Sequence, residues 1–119
     1  MANAIKSLVA NLTSSGTWVQ LLEEVAGTAY TVPSGRHVDV KSLIVTNNGA
    51  NSVAVSMGIS SDNTISDLEG GLPKATLSEQ GSHAEYDGVV VIVEGKGLWM
   101  KAVGTSPNVS VRAAALEVS

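Results

Sequence analysis

The chain has no cysteine and no phenylalanine, and its 119 residues include only two tryptophans, two tyrosines and two histidines. Without cysteine, disulfides and thiolate metal sites are excluded, and the redox compartment stays open. Charged residues make up 15% of the chain, against roughly 25% in an average domain. The seven Lys and Arg are scattered and the formal net charge is −4, so the basic footprint of a nucleic-acid binder is missing. The apolar run Val89–Val93 is the longest, and it falls far below the roughly 20 residues that span a bilayer. Lys6, Ser7 and Asn11 interrupt the apolar residues near the N-terminus, so neither a signal peptide nor a membrane partner is expected.

What is present is valine, 17 of them, with 12 glycines and many Ser and Thr. β-Branched side chains between turn formers favour pleated sheets over helices. The length suits one domain with one core. Small side chains bury less surface each than aromatic ones do. Self-association would compensate, and the low surface charge suits a chain packed against partners.

The stretch Tyr30–Ile59 organises the reading. Val32-Pro33-Ser34-Gly35 is turn chemistry, with proline in the second position and a later glycine free to take positive φ. Val38, Val40, Ser42, Ile44 and Thr46 alternate onto one face of a strand. Asn47–Asn51 then reads as a hairpin loop, leading to a second strand with Val53, Val55, Met57 and Ile59 on one face. Upstream, residues 1–16 form an extended arm, with a short helix over Ala4–Leu12 as the alternative. Residues 17–119 form the domain, in which Thr17–Val25 is a strand anchored by Trp18. Downstream, Ser60–Leu77 is a long excursion of the kind that is functional or mobile, with a strand fragment at Ala75–Leu77. Ser82–Tyr86 is a short strand and Asp87-Gly88 a turn. Val89–Glu94 is apolar on both faces, which predicts a central strand. Gly95-Lys96-Gly97 closes a hairpin onto Leu98–Val103, and Val109–Val118 is the last strand. About eight antiparallel strands with turns between them make an all-β sandwich or jelly roll.

Chemistry is hard to find in these residues. His37 shares a strand face with Asp39, and His83 with Glu85, but their spacing matches no zinc cluster. The oxygens of Asp62–Glu69 alternate like those of a calcium loop, yet the central glycine and terminal glutamate are misplaced. Glu23 and Glu24, as strand neighbours, point to opposite faces and cannot flank one bond. No Gly-x-Ser-x-Gly elbow or phosphate loop occurs. No enzyme, metal or cofactor is expected. Trp99 lies on one strand face with Lys101, either half-buried or as an interface anchor.

Tyr30-Thr31-Val32-Pro33-Ser34-Gly35-Arg36, followed by Val38-Asp39-Val40-Lys41-Ser42-Leu43-Ile44-Val45-Thr46-Asn47, resembles small virion structural proteins of tailed bacteriophages. The match covers residues 28–59 well and the rest in strand order. The resemblance implies a β-sandwich or jelly-roll capsid decoration (cement) protein, or a tail- or fibre-associated one. The partners it implies are the major capsid protein and copies of the chain itself, with a trimer favoured. Its location would be the capsid surface of a virion made in the host cytoplasm. Partner contacts are expected in the arm, in the excursion after Ile59 and at the tryptophans: Ile5, Leu8, Trp18, Asp62, Asp67, Leu68 and Trp99.

Overall fold

A computed structural model describes residues 3–62, 74–78 and 80–119. Its strands are β1 (Ala4–Leu12), β2 (Val19–Gln20), β3 (Leu22–Glu23), β4 (His37–Asn47), β5 (Val53–Ser60), β6 (Lys74–Leu77), β7 (His83–Val93), β8 (Gly97–Gly104) and β9 (Val109–Val118). They form two antiparallel sheets, in the orders β3-β1-β9-β4-β7 and β2-β8-β5-β6. Leaving aside the two-residue β3, the orders β1-β9-β4-β7 and β2-β8-β5-β6 are those of a jelly roll. The all-β sandwich read from the sequence is the fold.

The core is built by alternation. Leu8, Ala10 and Leu12 of β1 face Val109, Val111, Ala113 and Ala115 of β9 across the sheet, and all are buried. From the other layer, Val53, Val55 and Met57 of β5 and Leu98, Met100 and Ala102 of β8 meet them. Burying aliphatic side chains contributes about 25 cal/mol per Å² removed from water.

Six expectations are corrected. Residues 4–12 are extended, as expected, and not a helix, but they belong to the sandwich and not to an arm beside it: β1 pairs with β9 along its whole length. The strand expected over Thr17–Val25 is split into β2 and β3, which join different sheets, with buried Leu21 at the crossing. The two expected hairpins are arches, since β4 and β5 lie in different sheets, as do β7 and β8. Buried Asn47 shows why the first arch forms. Its amide donates to the carbonyls of Asn51 (2.9 Å) and Leu77 (3.2 Å), and its side-chain oxygen accepts from the Gly49 amide (3.0 Å). The turn is thereby wrapped around a side chain tied to β6, in the opposite layer.

The fourth correction concerns the faces of β4. A bulge between Val40 and Ser42 places Lys41 out of register with both neighbours. One extra residue reverses side-chain parity, so Leu43 and Val45 turn inward while Ser42, Ile44 and Thr46 turn outward. The fifth concerns β7. Asp87-Gly88 is no turn but an irregular point within one eleven-residue strand, and that strand is the edge of its sheet.

The Pro33-Ser34-Gly35-Arg36 turn is closed by the Arg36 amide donating to the Pro33 carbonyl (3.2 Å), with Gly35 at φ +78°. Proline therefore opens the turn, one position earlier than the sequence reading placed it, and glycine supplies the positive φ in the third position.

Candidate functional site

Among the described residues no group of three or more His, Asp or Glu is placed to hold a metal ion. The two histidines sit apart, each on an exposed strand face beside one carboxylate. His37 Nε2 lies 3.7 Å from Asp39 Oδ1, and His83 Nε2 lies 3.8 Å from Glu85 Oε1. The calcium-like stretch Asp62–Glu69 lies outside the described residues, apart from exposed Asp62 at its start.

The surface that gathers the sequence candidates is the outer face of the four-stranded sheet. Leu98, Met100 and Ala102 of β8 point into the core, so Trp99, Lys101 and Val103 point out. Trp99 stands opposite Gly58 of β5, and its indole nitrogen donates to the Ser60 carbonyl (3.0 Å). The ring therefore reaches across β5 where the neighbouring position carries no side chain. Asp62 follows immediately, its amide donating to the Ser60 hydroxyl (3.2 Å). On the other side, the Lys101 ammonium lies 4.9 Å from the ring centroid of Trp18, within cation–π range. Both tryptophans of the chain thus sit half-buried on this side of the molecule, Trp18 against Lys101 and Trp99 across β5. Half-buried tryptophans beside a cation are suited to capping a protein partner, because Trp brings large contact area at low entropic cost.

The remaining sequence candidates are placed elsewhere. Ile5 is exposed on the outer face of the five-stranded sheet. Leu8, expected at a partner contact, is 1% exposed in the core, because even-numbered residues of β1 face inward. Asp67 and Leu68 lie outside the described residues.

Sequence reasoning missed two polar clusters. In the first, the Tyr30 hydroxyl and an Arg36 guanidinium nitrogen each donate to the Glu117 carboxylate, which is 3% exposed. Lys6 adds its charge nearby, lying 3.2 Å from Glu23 Oε1 and 6.0 Å from the Tyr30 ring centroid. The Tyr30 hydrogen bond, helped by Arg36 and Lys6, holds the Glu117 carboxyl below its ordinary value against the opposing effect of burial. Burial, and then the carboxylate, push the Tyr30 hydroxyl up. The signal was available, since the run Val109, Val111, Ala113, Ala115 puts Glu117 on the inner face. A carboxylate there needs partners.

In the second cluster, Arg112 grips Glu24 with two bonds of 2.9 and 2.7 Å, and the Ser7 hydroxyl adds a third at 3.0 Å. Arg112 first, then Ser7, holds the Glu24 carboxyl below its ordinary value. A shallow groove of about 480 Å³ runs beside this pair between Val9, Leu22, Ile44 and Thr46. Every charged group in it is already satisfied within the chain.

No protein-family model matches the chain, and no curated protein matches it. Solved structures do share its fold. A chain in the acidic stable capsid structure of Helicobacter pylori bacteriophage KHP30 superposes with a TM-score of 0.55 at 13% identity, covering 100% of this chain and 94% of that one. A chain of Bacillus endospore appendages, a family of disulfide-linked pili, gives 0.51 at 12% identity, covering 98% and 88%. A chain of the cyanophage Pam1 capsid asymmetric unit gives 0.48 at 16% identity, covering 97% and 83%. At these identities the likeness is one of fold. The sandwich seen here is thus similar in fold to a chain of a phage capsid structure and to a chain of a spore pilus.

Proposed function

We propose that this chain is a non-enzymatic structural protein of a bacteriophage virion, and within that class a capsid decoration (cement) protein. It docks on the lattice of the major capsid protein and stabilises the head. The observation that carries the reading is the superposition on a chain of a phage capsid structure over nearly the full length of both. The phage-like stretch Tyr30–Asn47 and the weakly charged surface support it. A shared fold does not by itself define a function, so the docking surface is argued from its own chemistry. Trp18, Lys101 and Trp99, with Asp62 at their edge, form the face that meets the lattice.

The test is to add purified protein to empty heads of its own phage and count bound copies. Saturable binding at hundreds of copies per head, with a rise in the temperature at which heads open, is the expected result. Protein that does not bind heads overturns the decoration role.

A second reading is a tail- or fibre-associated protein contacting host glycans, and the likeness to a spore pilus favours it. The disulfide linkage of those pili is closed to this chain, which has no cysteine. A handful of copies per virion, together with specific binding on a glycan array, would select this reading over the first.

A further inference from the structure

We infer that the outer face of the five-stranded sheet is the contact between two copies of this chain, related by a two-fold axis that runs along the strands. The first ground is β7. Its run Val89–Glu94 has the composition of a strand covered on both sides. Ile92 is in the core, but Val91 and Val93 are 56% and 53% exposed. One half of the cover this strand is built for is missing from the single chain.

The second ground is the register, which gathers these side chains into rows. Val91, Asp39, Leu116 and Ile5 stand side by side across β7, β4, β9 and β1, and Val93, His37 and Val118 form the next row. Ile5 is 85% exposed and Leu116 and Val118 are half-buried. Five aliphatic side chains thus stand at one end of the face, Val91 and Val93 on one side of the His37–Asp39 pair of β4 and Leu116, Val118 and Ile5 on the other, more than the single exposed residues normal on a surface.

The third ground is size and shape. Four strands of 9 to 11 residues, spaced about 4.8 Å apart and rising about 3.3 Å per residue, make a face of roughly 600 Å² in projection. A standard interface takes about 800 Å² of accessible surface per partner, so one such face matches one partner. A twisted sheet packs best on another sheet of the same twist, and a second copy provides one.

Charge selects the same occupant. The carboxylates Asp39, Glu24 and Glu85 each have a basic group of the same chain within 4 Å on this face: His37 and Lys41, Arg112, and His83. Among the described residues of the face, each carboxylate therefore has a basic neighbour in its own chain, which favours a copy of the chain over an oppositely charged partner. When the face is turned over about an axis lying between β4 and β9, the row order reverses and the apolar end falls on the apolar end. Val91 of each copy then comes opposite Ile5 of the other, the reciprocal pairing that an isologous contact requires. Such a contact closes at two copies, whereas the phage resemblance implies three.

The experiment uses the full chain. Light scattering at micromolar concentration is expected to give the mass of two copies, falling to one in Ile5→Lys and in Val91→Lys. Val103→Lys, exposed on the other sheet, is expected to leave the pair intact, and circular dichroism checks that each variant is folded. Because the chain has no cysteine, Ile5→Cys and Val91→Cys proteins can be mixed under oxidation, where a disulfide joining the two different variants is the expected product. A monomeric wild type, or a dimer or trimer that survives both lysine substitutions, overturns the proposal. So does loss of head binding in Ile5→Lys when the wild type is monomeric, since the face would then belong to the lattice. Head binding that fails while the pair persists counts against the decoration role alone.

Discussion

The hydroxyl of Tyr30 donates to the carboxylate of Glu117, joining side chains 87 positions apart in the sequence. The bond ties the segment before β4 to the end of β9 and closes one end of the sandwich. Tyr30→Phe removes it and leaves a buried carboxylate short of one donor. The expected loss is about 1–3 kcal/mol, since hydrogen bonds to charged groups lie at the upper end of the usual range. Urea unfolding at pH 7 measures it.

The same pair sets a pH profile. Glu117 titrates below its ordinary 4.5 in the folded chain, so its contribution is complete above that value and is lost as pH falls through the lower folded value. Tyr30 titrates above its ordinary 10.0, so its contribution is complete below 10 and is lost as pH rises beyond it. A melting temperature that is flat between these limits and falls outside them is expected. In Glu117→Gln the acid limb should be shallower. An acid limb unchanged in that variant would remove Glu117 from the account.

The bulge at Lys41 makes a sharp contrast between neighbours. Leu43→Ala, at a fully buried position, should cost about 2–5 kcal/mol. Ile44→Ala, on the outer face, should change the stability of the single chain, measured in the Val91→Lys background that does not pair, by about 0.5 kcal/mol or less. Strict alternation from Val38 predicts the reverse order, so chemical denaturation of the two variants decides between the registers.

Gly97 is fixed by a close approach. A Cβ there would stand 2.3 Å from Gln20 Nε2 and 2.8 Å from the Tyr30 carbonyl oxygen, where the Gln20 amide already donates to that carbonyl at 2.8 Å. The side chain can move but the backbone oxygen cannot do so cheaply. Gly97→Ala should therefore destabilise by about 1–3 kcal/mol, read as a lower urea midpoint with the slope unchanged.

On the proposed docking face, Trp18→Ala and Trp99→Ala should each weaken head binding by at least about 30-fold, which corresponds to roughly 2 kcal/mol. Val25→Ala, at an exposed site in the loop after β3, should leave binding as it was. Sedimentation of heads with labelled protein reads both.

Much of the fold was legible in residues such as Val109, Val111, Ala113 and Ala115, or Val53, Val55 and Met57, where alternation alone identifies strands and their buried faces. What alternation cannot carry is which strands are partners. The Asn47–Asn51 turn reads as a hairpin because Asn-Gly signals a tight reversal. Whether a reversal stays in one sheet or crosses to the other depends on Asn47 reaching Leu77, thirty residues away. Lys41 hides its bulge in the same way, since the extra residue is defined only against Ala114 and Ala115 on β9. Val89–Glu94 is apolar enough for the middle of a sheet, and composition counts faces without saying whose atoms cover them. Trp99 and its outward neighbour Lys101 were legible from period two, whereas Trp18 joined them through a contact between distant segments.

β9 lies between β1 and β4 and bonds to both along nearly its whole length. During synthesis, β1 is made well before β9 and must wait for it before its principal neighbour exists. The five-stranded sheet therefore cannot grow strand by strand as the chain emerges, and its closure is a late, long-range event of the kind that folds slowly. Until then β1 exposes Leu8 and Leu12 to whatever is nearby, and in a cell making many copies that is another unfinished chain. The order of strands that gives the finished sandwich its closure thus leaves the apolar side of β1 uncovered until nearly the whole domain has been made.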